Sequence, residues 1–167
     1  MKNKILALSL FAAGFSANAQ DTIPTPTTNA ISFSAYVETY YNYDFNEPDS
    51  HLRPSFLYNH NRHNELNVNL VMVKAAYVKE NVRANLALMA GTYTQYNLAA
   101  EPNLLQNIYE ANVGVRLSKK HNLWIDAGIL PSHIGFESAV GKDNHVLTRS
   151  ILAENSPYYE AGVKVGY

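Results

Sequence analysis

The sequence predicts an all-β fold, an antiparallel up-and-down transmembrane β-barrel of which about six strands are present. Three observations lead to this prediction. Runs of about ten residues alternate between apolar and polar side chains, their connections are alternately long and short, and tyrosines stand at the ends of the apolar faces. The 167 residues include 12 tyrosines against 6 phenylalanines and 1 tryptophan, an excess that suits strands and membrane interfaces better than helical cores.

Residues 1–19 have the pattern of a secretory signal peptide. Lys2 and Lys4 precede an apolar run over residues 5–15, and a small-x-small tripeptide ends the segment. The apolar run has about eleven residues, short of the roughly 20 that a membrane-spanning helix needs. No cysteine follows the cleavage site, which excludes a bacterial lipoprotein. We therefore expect export, with residues 20–30, which are polar and contain two prolines, as a flexible periplasmic leader.

The charge and composition of the mature chain exclude several classes of protein. Cleavage of the signal peptide leaves 11 basic against 14 acidic residues, a net charge of -3, which argues against nucleic acid as a partner. No run approaches the ~18 consecutive apolar residues of a transmembrane helix. An exported chain without cysteine must take its stability from packing or from lipid.

Six segments alternate with the two-residue period of a β-strand. The fourth and fifth are the clearest and flank a short polar turn, which predicts an antiparallel hairpin. The second changes phase within its length, and either a β-bulge or an amphipathic inner face would explain this. The six segments are residues 31–43, 65–78, 82–93, 108–117, 123–130 and 158–167.

The connections indicate which face of the strands meets water. They are long over residues 44–64, 94–107 and 131–157, and short over residues 79–81 and 118–122. Outer-membrane barrels have short periplasmic turns and long external loops, whereas a soluble sandwich has no reason to place all its long loops at one end. In such a barrel the aliphatic face lies in lipid and the charged face lines the lumen, the reverse of a soluble sheet.

The polar faces carry a set of charged residues that we expect to line the bore. In a water-filled bore they would select polar solutes by size and charge, or they would pair with one another and stiffen the wall. Both interpretations stay open. The residues are Glu38, Lys74, Arg83, Glu110, Arg116, Asp126, Glu160 and Lys164.

Other candidate chemistry is weak. His60 and His63 have a spacing that could hold a metal, but no helix aligns them and no third ligand is fixed, so we expect a solvated loop. Ser132, His133 and Asp143 share the third long connection without a nucleophile-elbow or oxyanion-hole signature, and only they suggest an outer-membrane hydrolase or acyltransferase. We expect no enzyme activity, no catalytic residue, no metal and no cofactor.

Residues 128–162, GILPSHIGFESAVGKDNHVLTRSILAENSPYYEAG, resemble the OmpL-like beta-barrel porins of Gram-negative bacteria. The segments NVRANLALMAGTY and NIYEANVGVRLSKKHNLWIDAG are similar to the same family. The resemblance implies an outer-membrane porin whose third long loop folds toward the bore, with no catalytic residue. Its loop motif is Pro131, Ser132, His133, Gly135, Phe136 and Glu137.

Residues 31–167 are accordingly expected to be the N-terminal part of a β-barrel porin domain, because family members are longer and a single-chain barrel needs at least about 8 strands. The expected function is passive diffusion of small hydrophilic solutes across the outer membrane. The alternative is a secreted or periplasmic soluble β-domain that binds a ligand or a surface partner. Expected partners are outer-membrane lipid, small hydrophilic solutes and the outer-membrane assembly machinery, and a homo-oligomer is left open.

Overall fold

The computed structural model describes residues 30–167, and the expected signal peptide and residues 20–29 of the leader lie outside the described residues. The described residues form one six-stranded sheet in which every strand pairs antiparallel with its neighbours in sequence. The up-and-down topology is confirmed, and the sheet is open, with its first and last strands as edges. The strands are β1 (Ile31–Tyr41), β2 (Leu66–Lys79), β3 (Val82–Ala90), β4 (Ile108–Ser118), β5 (Leu123–Pro131) and β6 (Tyr159–Gly166).

Three long loops leave one end of the sheet and two short turns close the other. The long loops are L1 (residues 42–65), L2 (residues 91–107) and L3 (residues 132–158). L2 contains helix α1 (Thr92–Asn97) and a 3-10 turn (Leu105–Asn107), and L3 contains a 3-10 turn (Gly141–Asp143) and helix α2 (Ile151–Glu154). None of the helices in residues 30–167 is long and apolar enough to cross a membrane.

The third strand ends earlier than the sequence predicts. Its predicted end was residue 93, whereas β3 ends at Ala90 and α1 begins two residues later. Gly91 causes the break, because it has a φ of 137° and lies so close to β2 that a Cβ atom there would be 2.3 Å from the carbonyl oxygen of Asn69. Tyr93 is therefore a helical residue, fully buried under the loops.

A β-bulge in β2 explains the phase change in its sequence. Glu38 and Thr39 of β1 are opposite Leu70 and Val68 of β2, so Asn69 is an extra residue between two register positions. Asn69 and Leu70 are both completely buried. In the sequence, one extra residue reverses the phase of the alternation at the bulge. In the structure, the apolar side chains on both sides of the bulge therefore still point outward.

The aliphatic face of the sheet is exposed, and the buried core lies on the opposite face beneath the loops. Outward-facing side chains such as Phe33 at 77% and Val163 at 67% are largely accessible. The core cluster under the loops consists of Leu70, Met89, Tyr93, Leu98, Ala139 and Val140. This distribution is the reverse of a soluble sandwich, which buries its aliphatic face.

Candidate functional site

The strand registers bring all eight predicted charged residues to one face of the sheet, which we call the inner face. Arg83, Gly114, Asp126 and Lys164 occupy one row across β3, β4, β5 and β6. The other five charged residues also occupy positions that point to the inner face. They are Glu38, Lys74, Glu110, Arg116 and Glu160. The sequence interpretation of which charges share a face therefore agrees with the registers, whereas their role as pore-lining residues stays a prediction.

Two of the inner-face pairs bury their carboxylates more deeply than their cations. Lys74 Nζ lies 2.5 Å from Glu110 Oε1, and Arg83 contacts both oxygens of Asp126, with Nε 2.6 Å from Oδ1. In each pair the carboxylate side chain is 5% exposed and the cationic side chain is 32% exposed. Gly114 makes room for the second pair, since a Cβ atom there would lie 2.1 Å from Asp126 Oδ1.

Trp124 holds two guanidinium groups at the end of the inner face that is near the short turns. The guanidinium carbons of Arg83 and Arg116 lie 4.3 and 4.6 Å from the centre of its ring. The ring is buried, and its Nε1 donates to Asn122 Oδ1 at 3.1 Å. Stacking on an aromatic face restrains both guanidinium groups through cation–π attraction.

Glu38, in contrast, is enclosed by the loops. Its carboxylate lies 2.5 Å from His60 Nε2 of L1 and accepts hydrogen bonds from the Tyr36 hydroxyl at 2.6 Å and from Asn69 Nδ2 at 3.1 Å. Gly141 of L3 lies directly against it, because a Cβ atom there would be 2.8 Å from Glu38 Oε2. Glu38, which is predicted to line the bore, therefore binds L1 through His60 and is covered by L3 at Gly141.

The expectation of a solvated histidine loop is wrong, since His60 and His63 are each only 5% exposed. L1 turns back on itself through an isolated bridge between Leu52 and Arg62 and a left-handed backbone at His60. His63 Nδ1 accepts from the backbone N–H of Asp44 at 2.8 Å, so the two imidazoles have separate partners. Among residues 30–167 no group of three or more side chains is placed to hold a metal ion.

A buried carboxylate in L3 ties that loop to L1, and sequence analysis missed it. Glu154 accepts hydrogen bonds from the backbone N–H groups of Tyr58 and Asn59, at 2.6 and 3.0 Å, and from the Asn59 side-chain amide. Arg149 Nη2 donates to it at 3.0 Å, and both side chains of this pair are 1% exposed. The partners in L1 are some 95 positions away in sequence, which no local pattern reveals.

Two tyrosines enclose the buried arginine. The guanidinium carbon of Arg149 lies 5.2 Å from the Tyr93 ring centre and 4.6 Å from that of Tyr158. Burial raises the pKa of Tyr93 well above its usual value and also raises the pKa of Tyr158. Both phenols therefore stay neutral at physiological pH, and Glu154 supplies the negative charge opposite the guanidinium group.

L3 starts at one edge of the sheet and reaches the other. It connects β5 to β6, yet its Gly141 packs on Glu38 of β1 and its Lys142 Nζ lies 5.9 Å from the ring centre of Tyr36. These contacts place L3 over the inner face of the sheet, and the expectation that it folds toward a bore stays a prediction.

The residues that suggested a catalytic triad have other partners. The Ser132 hydroxyl accepts from the backbone N–H of Ile134 at 3.1 Å. His133 is 78% exposed, and its Nδ1 lies 2.7 Å from Glu160 Oε2. In the part of the chain that the structure describes, no hydrogen bond joins Ser132 or His133 to Asp143.

The remaining loop-motif residues shape the start of L3. Pro131 ends β5, Gly135 has a φ of 78°, and Phe136 is 85% exposed. Glu137 accepts from the backbone N–H of Ser150 at 3.0 Å, which joins the start of L3 to the start of α2. Together with Ser132, these four residues contribute to the lining of a pocket of about 200 Å³.

The comparison with known proteins agrees with this architecture. A family model described as "Putative beta-barrel porin-2, OmpL-like" matches residues 30–167, which is most of the chain. Neither a curated protein nor a solved structure was found that matches the chain.

Proposed function

This chain belongs to the OmpL-like beta-barrel porin family, and we propose that it is an outer-membrane porin through which small hydrophilic solutes diffuse passively. The observation that carries the proposal is the inverted distribution of side chains across the sheet. Aliphatic side chains lie uncovered on the outer face, while the charged residues are on the inner face, where the Lys74 and Arg83 side chains are 32% exposed. A transmembrane barrel needs this arrangement, because its outer face contacts lipid and its inner face contacts water.

The loops support a bore of restricted width. L3 crosses the inner face at the end where the long loops leave the sheet, and the Arg149–Glu154 pair holds it against L1. The wall between L3 and the short turns carries charged groups and several glycines, including Gly114 and Gly162. We propose that solutes pass along this wall without any chemical step, and that L3 sets the narrowest point.

Cysteine accessibility offers a direct test, because the chain contains no cysteine of its own. Gly162 is on the inner face with open space around it, and Val163 is the next residue, on the outer face. Gly162→Cys and Val163→Cys are thus matched variants that differ in the face they label. The protein would be purified from outer membranes in mild detergent and inserted into planar bilayers, and a water-soluble cationic thiosulfonate would be added.

When residues 31–167 are part of a closed barrel of at least about 8 strands, we expect ion conductance from the wild type, a stepwise reduction of the current in Gly162→Cys after reagent addition, and no change in Val163→Cys. Absence of conductance from a folded, inserted and closed barrel would refute the porin proposal. Equal labelling of both cysteines in lipid would show that the outer face is wet. Recovery of the protein in the soluble periplasmic fraction without detergent would favour the alternative, a soluble β-domain that binds a ligand or a surface partner.

A further inference from the structure

We infer that the inner face near the short turns makes this porin select small anionic solutes over cationic ones. The inference rests on the proposed porin function and adds the class of solute. It follows from which charged groups can reach water in the space along that wall, not from the number of charges in the sequence.

The carboxylates that pair with cations on the inner face are covered; Asp126 lies in the row near the short turns, whereas Glu110 lies on the long-loop side of Asn112 on β4. Glu110 and Asp126 side chains are each 5% exposed, and each has a cation in direct contact. Their partners, Lys74 and Arg83, keep 32% of their side chains accessible. A solute that approaches the wall therefore meets the ammonium and guanidinium groups before it meets the carboxylates behind them.

Two more cations have no close carboxylate of their own. Arg116 stacks on Trp124; within residues 30–167 it forms no ion pair with an acidic side chain, and its buried Nε has no hydrogen-bond partner there. Lys164 is exposed, and it stands opposite Asp126, which Arg83 already binds through both oxygens. Near the short turns, three cations, Arg83, Arg116 and Lys164, stand against one covered carboxylate, Asp126, which leaves an excess of positive charge there.

The other inner-face groups do not reverse this balance. Asn85 and Asn112, which lie one register step toward the long loops, are neutral and hydrogen bond to each other at 3.0 Å. Glu38 is enclosed beneath L1 and L3, as shown by its 9% exposure. Closer to the long loops, Lys74 and Glu110 form one paired group, and Glu160, whose side chain is 31% exposed, contacts His133 of L3.

The chemistry of these groups determines which solutes they favour. Arginine and lysine side chains that line a water-filled pore attract anions and repel cations, and low-dielectric walls concentrate that field. Guanidinium groups also match the geometry of carboxylate and phosphate. Small carboxylates and phosphate esters are thus the solute class that this wall fits.

The test is the zero-current potential of single channels in a tenfold KCl gradient, using protein purified from outer membranes. The variants Arg116→Gln and Lys164→Gln each remove one cation from the wall. The matched control is Lys79→Gln, because Lys79 is exposed and shares the outward phase of Val73 and Tyr77 on β2.

We expect the wild-type reversal potential to lie toward the chloride equilibrium potential. Each wall variant should lower the chloride-to-potassium permeability ratio by roughly two- to fivefold, the effect of one unit charge about 8 Å from a passing ion in water. Lys79→Gln should leave the ratio unchanged.

A conducting channel that prefers potassium, or whose ratio the wall variants do not lower, would overturn the anion inference and leave the porin proposal standing. A ratio that falls equally in Lys79→Gln would also overturn it, because the selectivity would then come from overall charge. Absence of conductance from an inserted, closed wild-type barrel would refute the porin function itself and the inference with it.

Discussion

Replacing Val113 with arginine tests the central claim that the aliphatic face of the sheet lies in lipid. Val113 is at the middle of the eleven-residue strand β4, half exposed, and flanked across the sheet by Ala84 and Ala127. An arginine near the bilayer midplane costs about 2–4 kcal/mol on a lipid-facing site. That cost corresponds to roughly a 30- to 1000-fold loss in the folding equilibrium constant.

The matched control is Gly162→Arg on the inner face. Among residues 30–167, no atom other than those of Gly162 and its two chain neighbours lies within 4 Å of a Cβ built at Gly162, so the added side chain meets open space instead of lipid. We expect this variant to cost little, because a wet lumen hydrates the charge. Val113→Ala serves as a second control, since it removes aliphatic contact without adding a charge.

The assay is urea unfolding of the protein folded into phosphatidylcholine vesicles. The chain has a single tryptophan, Trp124, which is 5% exposed and packed against Arg83 and Arg116, so its fluorescence reports the integrity of the inner wall. We expect the midpoint for Val113→Arg to fall far below those of both controls. Equal destabilisation by Val113→Arg and Gly162→Arg would refute the assignment of the two faces.

Three further predictions concern the loops and the wall. Glu154→Gln leaves the buried guanidinium group of Arg149 without a countercharge, at a cost of about 3 kcal/mol or more. We expect L3 to become sensitive to protease. Unchanged cleavage would show that the ion pair does not hold the loop. Gly114→Val should destabilise the fold by about 1–3 kcal/mol in thermal unfolding, since its Cβ would collide with Asp126, whereas Gly162→Val should not. Glu65 at the end of L1 pairs with Arg62, and hydrogen bonding to Arg62 lowers the pKa of Glu65 to about 2. The stabilisation of L1 from this pair should therefore persist down to about pH 4.5 and disappear as the pH falls toward 2; hydrogen exchange in L1 would measure this, and Glu65→Gln should abolish the dependence.

Much of the strand architecture could be predicted because its cause is local. A strand turns successive side chains to opposite faces, so the alternation over residues 108–117 and 123–130 predicted β4, β5 and their antiparallel pairing. The same alternation assigned Arg83, Asp126 and Lys164 to one face, and the register places them in one row. The alternating loop lengths predicted that the long loops leave one end of the sheet and the short turns the other, because consecutive antiparallel strands reverse direction at each connection.

The loop contacts could not be predicted because their partners are remote in sequence. Nothing near His60 indicates that it meets Glu38, and nothing near Glu154 indicates that Asn59 donates to it. The bulge at Asn69 was only one of two explanations for the phase of β2, because a sequence does not show which residue of a ladder is unpaired.

The sequence by itself determined the number, order and polarity pattern of the strands, since these follow from the period of the chain and from its turns. The tertiary structure alone decided which inner charges are covered and which reach water. That outcome depends on the packing of side chains across strands, as where the Arg83–Asp126 pair occupies the space left by Gly114. Alternation identifies a face, but only packing decides how much of each charge on that face a solute can meet.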